Sequence, residues 1–366
     1  MTMTLQFQDQ QIVDAITSVV RSELKGWVGD ASLVEEAPAL RKYPHSFMLR
    51  YPLRGTADVP ALLVKFVRKD GMRSLSECIA ALELRPRAKG EFEILLRTAQ
   101  LFDAAQDPGC HALRPYAYLE PWNVIVMPES PGNRLKDFYL RSSIALRQSG
   151  AWDELLKLVR CSARWLRIYH TLPDGPKSET FPRDKFIDLV EERLQALEKY
   201  SRSNVDTASI RNAFMERLPL VEQTQVEVSY RHGDFTFSNV LITHNGRACA
   251  IDMSKNQMDP IYLDLAYMII DPSMRMVNAL SGGFYASPAN LERCRQAVVE
   301  GYFGKAEYNR SALAICCAFA ALNKWSADEK KYNFNRSSRQ LWRLLLQRVR
   351  PYFRRQVEAY LSEVSG

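Results

Sequence analysis

The chain has 366 residues, 46% of them apolar and 25% charged, with 16 Gly and 18 Pro. That much apolar material fills one large core or two adjacent ones, and it excludes a disordered, collagenous or miniprotein chain. The formal charge of +7 is unevenly spread: between Lys324 and Arg355 ten Lys or Arg face only Asp328 and Glu329, a segment charge of +8. Such a segment suits a nucleic acid, an anionic membrane surface or an acidic substrate. Leu341, Leu344, Leu345 and Val349 recur at helical spacing beneath the charges, which points instead to the solvated face of a C-terminal helix.

The longest apolar run, Ala312 to Leu322, covers 11 residues, about half of the ~20 needed to cross a bilayer. The start, MTMTLQFQDQ, lacks a basic segment followed by an apolar one, so a soluble cytoplasmic protein is expected. Seven scattered cysteines form no CxxC pair, as expected of reduced thiols. Cys316 and Cys317 fall inside the apolar run and are expected to pack a helix.

In chain order, residues 10–25 carry apolar positions at helical spacing and meet Gly26, which predicts an amphipathic helix. The runs SLVEEAP, SFMLRYPL and ALLVKFVRK, with turns at Gly55 and Asp70-Gly71, predict a small antiparallel sheet. A helix follows over 76–101, closed by Asp107-Pro108-Gly109, and then the strand NVIVMPE, which stops at Pro131 and Gly132. A boundary near Pro128 separates a domain over 1–128 from one over 129–366. The latter is mostly helical, with helices predicted over 152–172, 185–200, 210–218, 290–303, 312–328 and 337–364. One β island interrupts it between Val226 and Asp252: VEVSY, RHGDFTFSN, VLIT, HNGR and ACAID. The fold class expected is α+β.

The island carries the chemistry. Asp234 and Asn239 flank a loop, and Asp252 ends an apolar strand 18 residues after Asp234. Phosphoryl transfer needs one acid to deprotonate an attacking hydroxyl and hard oxygen ligands for magnesium on the phosphates. As turn and cap residues these three types are also common, but their joint spacing favours the chemical reading.

HGDFTFSN, Ile251-Asp252 and the downstream Asp259-Pro260-Ile261-Tyr262-Leu263-Asp264-Leu265-Ala266 resemble the catalytic and metal loops of protein kinases, in the version found in the aminoglycoside phosphotransferase and choline kinase family. The resemblance spans roughly residues 33–272. It implies a protein-kinase-like bilobal fold with an N-terminal nucleotide-binding lobe and a helical C-terminal catalytic lobe. It implies Asp234 as catalytic base, Asn239 and Asp252 as Mg2+ ligands, and His232, Asp259 and Asp264 as structural support. His170, in the family's helix ending in Leu-His, is expected to be a packed structural histidine.

The resemblance also asks for a strand lysine held by a helix glutamate. Lys65 in LLVKFV fits the first. Glu91 and Glu93 compete for the second and cannot face the same way on a helix. Leu95, four residues on, favours Glu91, with Glu83 and Glu77 as outside alternatives. Met127, Glu129 and Ser130 lie where adenine meets the hinge; Pro128 has no N–H, so donation falls to a neighbour such as Ser130. No glycine-rich phosphate loop is present, and Ser46 with nearby amides stands in its place.

The implied activity is transfer of the γ-phosphate of ATP, with GTP as the alternative nucleotide, to a hydroxyl of a sugar, amino sugar or amino alcohol. Asp271 and Glu191-Glu192 are the acidic candidates for a cationic acceptor, whereas the C-terminal arginines suit an acidic one such as a surface-glycan or lipopolysaccharide precursor. From another class, a silent nucleotide-binding pseudokinase or a basic-tail binding module stays open. No RNP-like or zinc-knuckle pattern supports a nucleic-acid partner, and the basic segment leaves membrane-surface contact open.

Overall fold

The computed structural model describes residues 7–34, 38–56, 58–144, 149–172, 175–201, 205–253, 257–334 and 339–365. The chain forms two compact units, Met1–Asn133 with Leu241–Met253, and Arg134–Val240 with Ser254–Gly366. Of the N-terminal stretch that argued against a leader, residues 1–6 lie outside the described residues, and Phe7 to Gln10 open the first helix.

The first unit runs α1 (Phe7–Val28), β1 (Ser32–Leu33), β2 (Ala39–Lys42), β3 (Ser46–Arg54), β4 (Ala61–Val67), α2 (Leu75–Ala80), α3 (Arg85–Ala105), β5 (Ala117–Leu119) and β6 (Val124–Pro128). The single helix expected over 76–101 is broken in two. Ser74 caps α2 by accepting from Glu77 N at 3.2 Å, and the Glu77 carboxylate accepts from Arg73 N at 2.7 Å. A 3-10 turn over Leu82–Leu84 then re-aims the chain. Pro86 has no N–H to donate and is favoured in a first turn, and α3 starts afresh there.

The strands make an antiparallel sheet in the order β1-β3-β4-β6-β5, with β2 also on β3. Side chains alternate along a strand, and the register Phe47↔Phe66, Leu49↔Val64, Tyr51↔Leu62 and Val64↔Val126 puts these apolar residues on one face. Val13, Ile16, Val20 and Leu24 of α1 pack against that face. By the same alternation Lys65, paired with Met48 and Ile125, belongs to the opposite face.

The chain continues through β7 (Asn133–Arg134), α4 (Leu135–Ile144), α5 (Ser149–Tyr169), β8 (Lys177–Thr180), α6 (Arg183–Tyr200), α7 (Thr207–Arg217), β9 (Gln225–Tyr230), β10 (Val240–Ile242), β11 (Ala248–Ala250), β12 (Met258–Pro260), α8 (Tyr262–Ser273), α9 (Met276–Leu280), α10 (Pro288–Phe303), α11 (Arg310–Phe334) and α12 (Arg339–Ser362). The β island is not one structure. β9 pairs with β8 and β12, whereas β10 and β11 form a separate hairpin closed at Asn245-Gly246. Every residue of α8 is buried, as befits a helix covered all round, and the apolar run of α11 is buried with it. Cys316 and Cys317 are buried free thiols, both pushed up by burial, Cys317 to about 12.

The inner stripe of α12 differs from expectation. Leu344 is exposed and Leu345 only half-buried, while Leu346, Val349, Phe353 and Val357 are buried; the Leu341 side chain lies outside the described ones. Among the described residues, three of the basic ones in this segment are held by acids: Lys324 by Asp328, Arg350 by Glu329 and Arg354 by Glu358. Among the described residues no helix is long and apolar enough to cross a membrane.

Candidate active site

In the first unit, the sheet face opposite α1 presents Lys65 to α3. Lys65 Nζ donates to Glu91 Oε1 at 2.5 Å, with both side chains largely buried, and lies 3.4 Å from Asp252 Oδ1. Glu93 is not the partner. Desolvation alone would lower the Lys65 pKa, but the charges of Glu91 and Asp252 outweigh it and raise it, so the ammonium is retained. Asp252 has φ +67°, a left-handed conformation unusual outside glycine, and its carboxylate is 64% exposed.

The hinge segment shows how its donors are used. Glu129 N donates to Ala61 O at 2.8 Å, extending the β4–β6 pairing. Pro128 offers no N–H, so Ser130 is the next amide along, and its hydroxyl is buried with no hydrogen-bond partner among the described residues. Met127 is buried, and the Glu129 carboxylate is taken by Arg50 at 2.6 Å. Ser46, 7% exposed at the start of β3, shares the sheet face of Met48 and Lys65 by strand alternation. The β2–β3 turn is clasped by Arg68, which donates to Tyr43 O at 2.8 Å.

In the second unit, the loop after β9 is held from within. Asn239 Nδ2 donates to Asp234 Oδ2 at 2.7 Å and to Asp234 O at 2.9 Å, which fixes an otherwise exposed Asp234 carboxylate. His232 is fully buried, edge-on to Trp165 and Phe235. Asp264, near the start of α8, accepts from His232 N at 2.7 Å and Gly233 N at 2.9 Å. His170 Nε2 lies 3.2 Å from the same carboxylate, and Arg231 Nε 3.6 Å. Burial would raise the Asp264 pKa, but the His170 hydrogen bond and the Arg231 charge prevail and hold it at about 2. Asp259 is buried against Lys185 and Arg231.

Several of these residues carried no distinguishing signal in the sequence. Arg231 is buried, bridges Asp259 and Asp264, and stacks on the Tyr267 ring at 5.2 Å; next to the His-Gly-Asp run it is one more arginine. Asp271, an acidic candidate for the acceptor, instead accepts from Phe237 N at 3.1 Å and pairs with Arg275, tethering the far side of the loop. Glu191 and Glu192 are likewise paired, with Arg211 and Arg193.

The donors suit magnesium. Among the described residues no cluster of three or more His, Cys, Asp or Glu stands ready for a metal. Mg2+ characteristically takes one or two protein oxygens and completes its shell with phosphates and water. Asp252 offers an exposed carboxylate, and Asn239, its amide nitrogen committed to Asp234, keeps its carbonyl oxygen for such use.

No protein-family model matches the sequence, and no curated protein matches it closely enough to count as a relative. Solved structures do match. A Ralstonia eutropha protein provisionally named an aminoglycoside phosphotransferase superposes with a TM-score of 0.59 at 14% identity, over 96% of this chain and 99% of its own. An ethanolamine kinase of Plasmodium vivax gives 0.54 at 11% identity, over 95% and 90%. The macrolide 2'-phosphotransferase MphH of Brachybacterium faecium gives 0.50 at 12% identity, over 92% and 98%. At such identities the likeness speaks for the fold, and the chain has the α+β kinase-like fold shared by these phosphotransferases.

Proposed function

We propose that this chain is a small-molecule kinase that transfers the γ-phosphate of ATP to an alcohol, within the class of sugars, amino sugars and amino alcohols. The observation that carries the reading is Lys65, a protonated lysine buried on a strand between Glu91 and Asp252. A purely structural role gives little reason to desolvate an ammonium beside two carboxylates, one of them exposed, whereas a site for nucleotide phosphates needs that charge held in place. The shared fold supports the same reading.

In this reading Lys65, oriented by Glu91, meets the phosphates, and the Ser130 amide and hydroxyl meet the base. Asn239 and Asp252 would hold Mg2+, which neutralises phosphate charge when bound. Asp234, oriented by Asn239, accepts the proton of the attacking hydroxyl on its carboxylate. Asp264 sets the loop by gripping two successive amides. Seven free cysteines suit a reducing compartment such as the cytoplasm.

The test is calorimetric titration with ATP and with GTP, with and without Mg2+, using Asp252→Ala as control. Magnesium-dependent binding that is lost in the variant is expected and justifies an acceptor screen. Failure of both nucleotides to bind would overturn the proposal.

A further inference from the structure

The second unit contains a cavity of about 630 Å³ that the proposed reaction does not use, within the size range of small-ligand sites. Its lining comes from the end of α5, the β8–β9 pair, the start of α8 and the connection from α10 to α11. Four aromatic residues dominate one wall. Phe303 and Tyr308 stack with centroids 5.0 Å apart, Tyr302 meets Phe303 edge-on at 4.8 Å, and Tyr262 lies 6.0 Å from Phe303.

The charged lining residues are Glu227, Glu307 and Arg167, so the formal balance is negative. Neither glutamate has an ion-pair partner among the described residues; burial raises the pKa of both Tyr262 and Tyr302, and the Glu227 charge adds to the rise. An anion has less to offer here. The adjoining N-terminus of α11 is already capped by Asn309, whose side chain accepts from Ala312 N at 2.7 Å. Aromatic faces with carboxylates nearby favour a positively charged organic group.

The deep wall leads elsewhere in the unit. His170 lines the cavity, its Nδ1 2.8 Å from Tyr302 Oη and its Nε2 3.2 Å from Asp264. With the Nε2 proton directed to the Asp264 carboxylate, Nδ1 accepts from the Tyr302 hydroxyl. Asp264 in turn holds the amides of His232 and Gly233, immediately before Asp234. A cation seated near the Tyr302 oxygen would make its hydroxyl a stronger donor and tighten this chain of hydrogen bonds.

We propose that the cavity binds an organic cation, an amine or quaternary ammonium group, among Tyr262, Tyr302, Phe303 and Tyr308, balanced by Glu227 and Glu307, and that its occupancy is transmitted to the Asp234 loop through Tyr302 and His170. This goes beyond the phosphotransferase reading and does not depend on turnover.

The probe is benzyltrimethylammonium, which has no hydroxyl to phosphorylate, titrated into the full chain by calorimetry. Saturable binding is expected, weakened about tenfold by Glu227→Gln combined with Tyr308→Ala and unchanged by Asp234→Asn. Glu227→Gln alone, at an exposed position, serves if the double variant fails to fold. No saturable binding, or binding lost in Asp234→Asn and kept in the cavity variants, overturns the site. Hydrogen exchange across residues 231–235 tests the coupling: it should slow on saturation in the wild type and stay unchanged in Tyr302→Phe, which keeps the ring. Exchange that ignores the probe in the wild type, or still responds in Tyr302→Phe, overturns the transmission.

Discussion

Glu91 Oε1 stands 2.5 Å from Lys65 Nζ, and only 12% and 10% of the lysine and glutamate side chains remain exposed. A pair this desolvated is costly to break from one side, because the surviving charge keeps its desolvation penalty. Asp252 gives Lys65 a second partner, which softens the loss. Glu91→Leu should therefore destabilise the protein by about 2 kcal/mol, below the 3–5 typical of an isolated buried pair. Lys65→Met/Glu91→Leu should be less destabilised than Glu91→Leu. Urea unfolding of the two variants checks this, and a double variant weaker than the single one would contradict it.

Asp264 predicts a pH dependence with a defined sign. Its folded pKa of about 2 lies below the ordinary 3.8, so the unfolded chain binds the proton more readily. The stabilisation is fully present above about pH 4 and is lost as pH falls toward 2; the shift corresponds to roughly 2 kcal/mol in total, about half of it gone by pH 3. Urea midpoints at pH 6 and pH 3 should show this loss in the wild type. Asp264→Asn should lack that part of the pH dependence and should start from a lower stability at pH 6.

Asp234→Asn should lower kcat by about 10²–10⁴, the usual contribution of a positioned general base, with nucleotide affinity nearly intact. Steady-state kinetics with any acceptor found in the screen, alongside nucleotide titration, separates the two. Normal turnover in Asp234→Asn would remove the residue from its assigned role.

Two glycines predict opposite outcomes for the same substitution. Gly301 of α10 lies against α5, and a Cβ there would sit 2.8 Å from Arg160 Cα and 2.9 Å from Ala163 Cβ, so Gly301→Ala must push two helices apart. The expected cost is about 1–3 kcal/mol. Gly26 in α1 has open space around it, and Gly26→Ala should stabilise by about 0.5–1 kcal/mol through helix propensity. Thermal or urea unfolding of both variants measures the contrast.

Much of the α+β organisation was legible because it rests on short-range periodicity. The alternation in LLVKFV already separates Leu62, Val64 and Phe66 from Lys65, and the structure keeps that separation as two faces of one sheet. Most helix bounds shifted by only a few residues. Helix 76–101 failed where apolar spacing took no account of Pro86, which favours the first turn of a new helix. On α12 the spacing alone did not choose the inner stripe; packing took Leu346 inward and left Leu344 in water.

Local order along the chain specifies which residue types are available for the chemistry, because a lysine flanked by apolar strand positions and an Asp, Asn and Asp at fixed spacing are local facts. Tertiary structure decided their partners. It joined Glu91 rather than Glu93 to Lys65 across 26 residues, and bound Asp271 to a backbone amide instead of leaving it free. It also divided a continuous β island between two sheets, and placed Asp264 against His170, 94 residues away. Spacing along a chain reports which way a side chain faces on its own element, while hydrogen bonds and ion pairs depend on which elements meet, and that is settled only when the cores close.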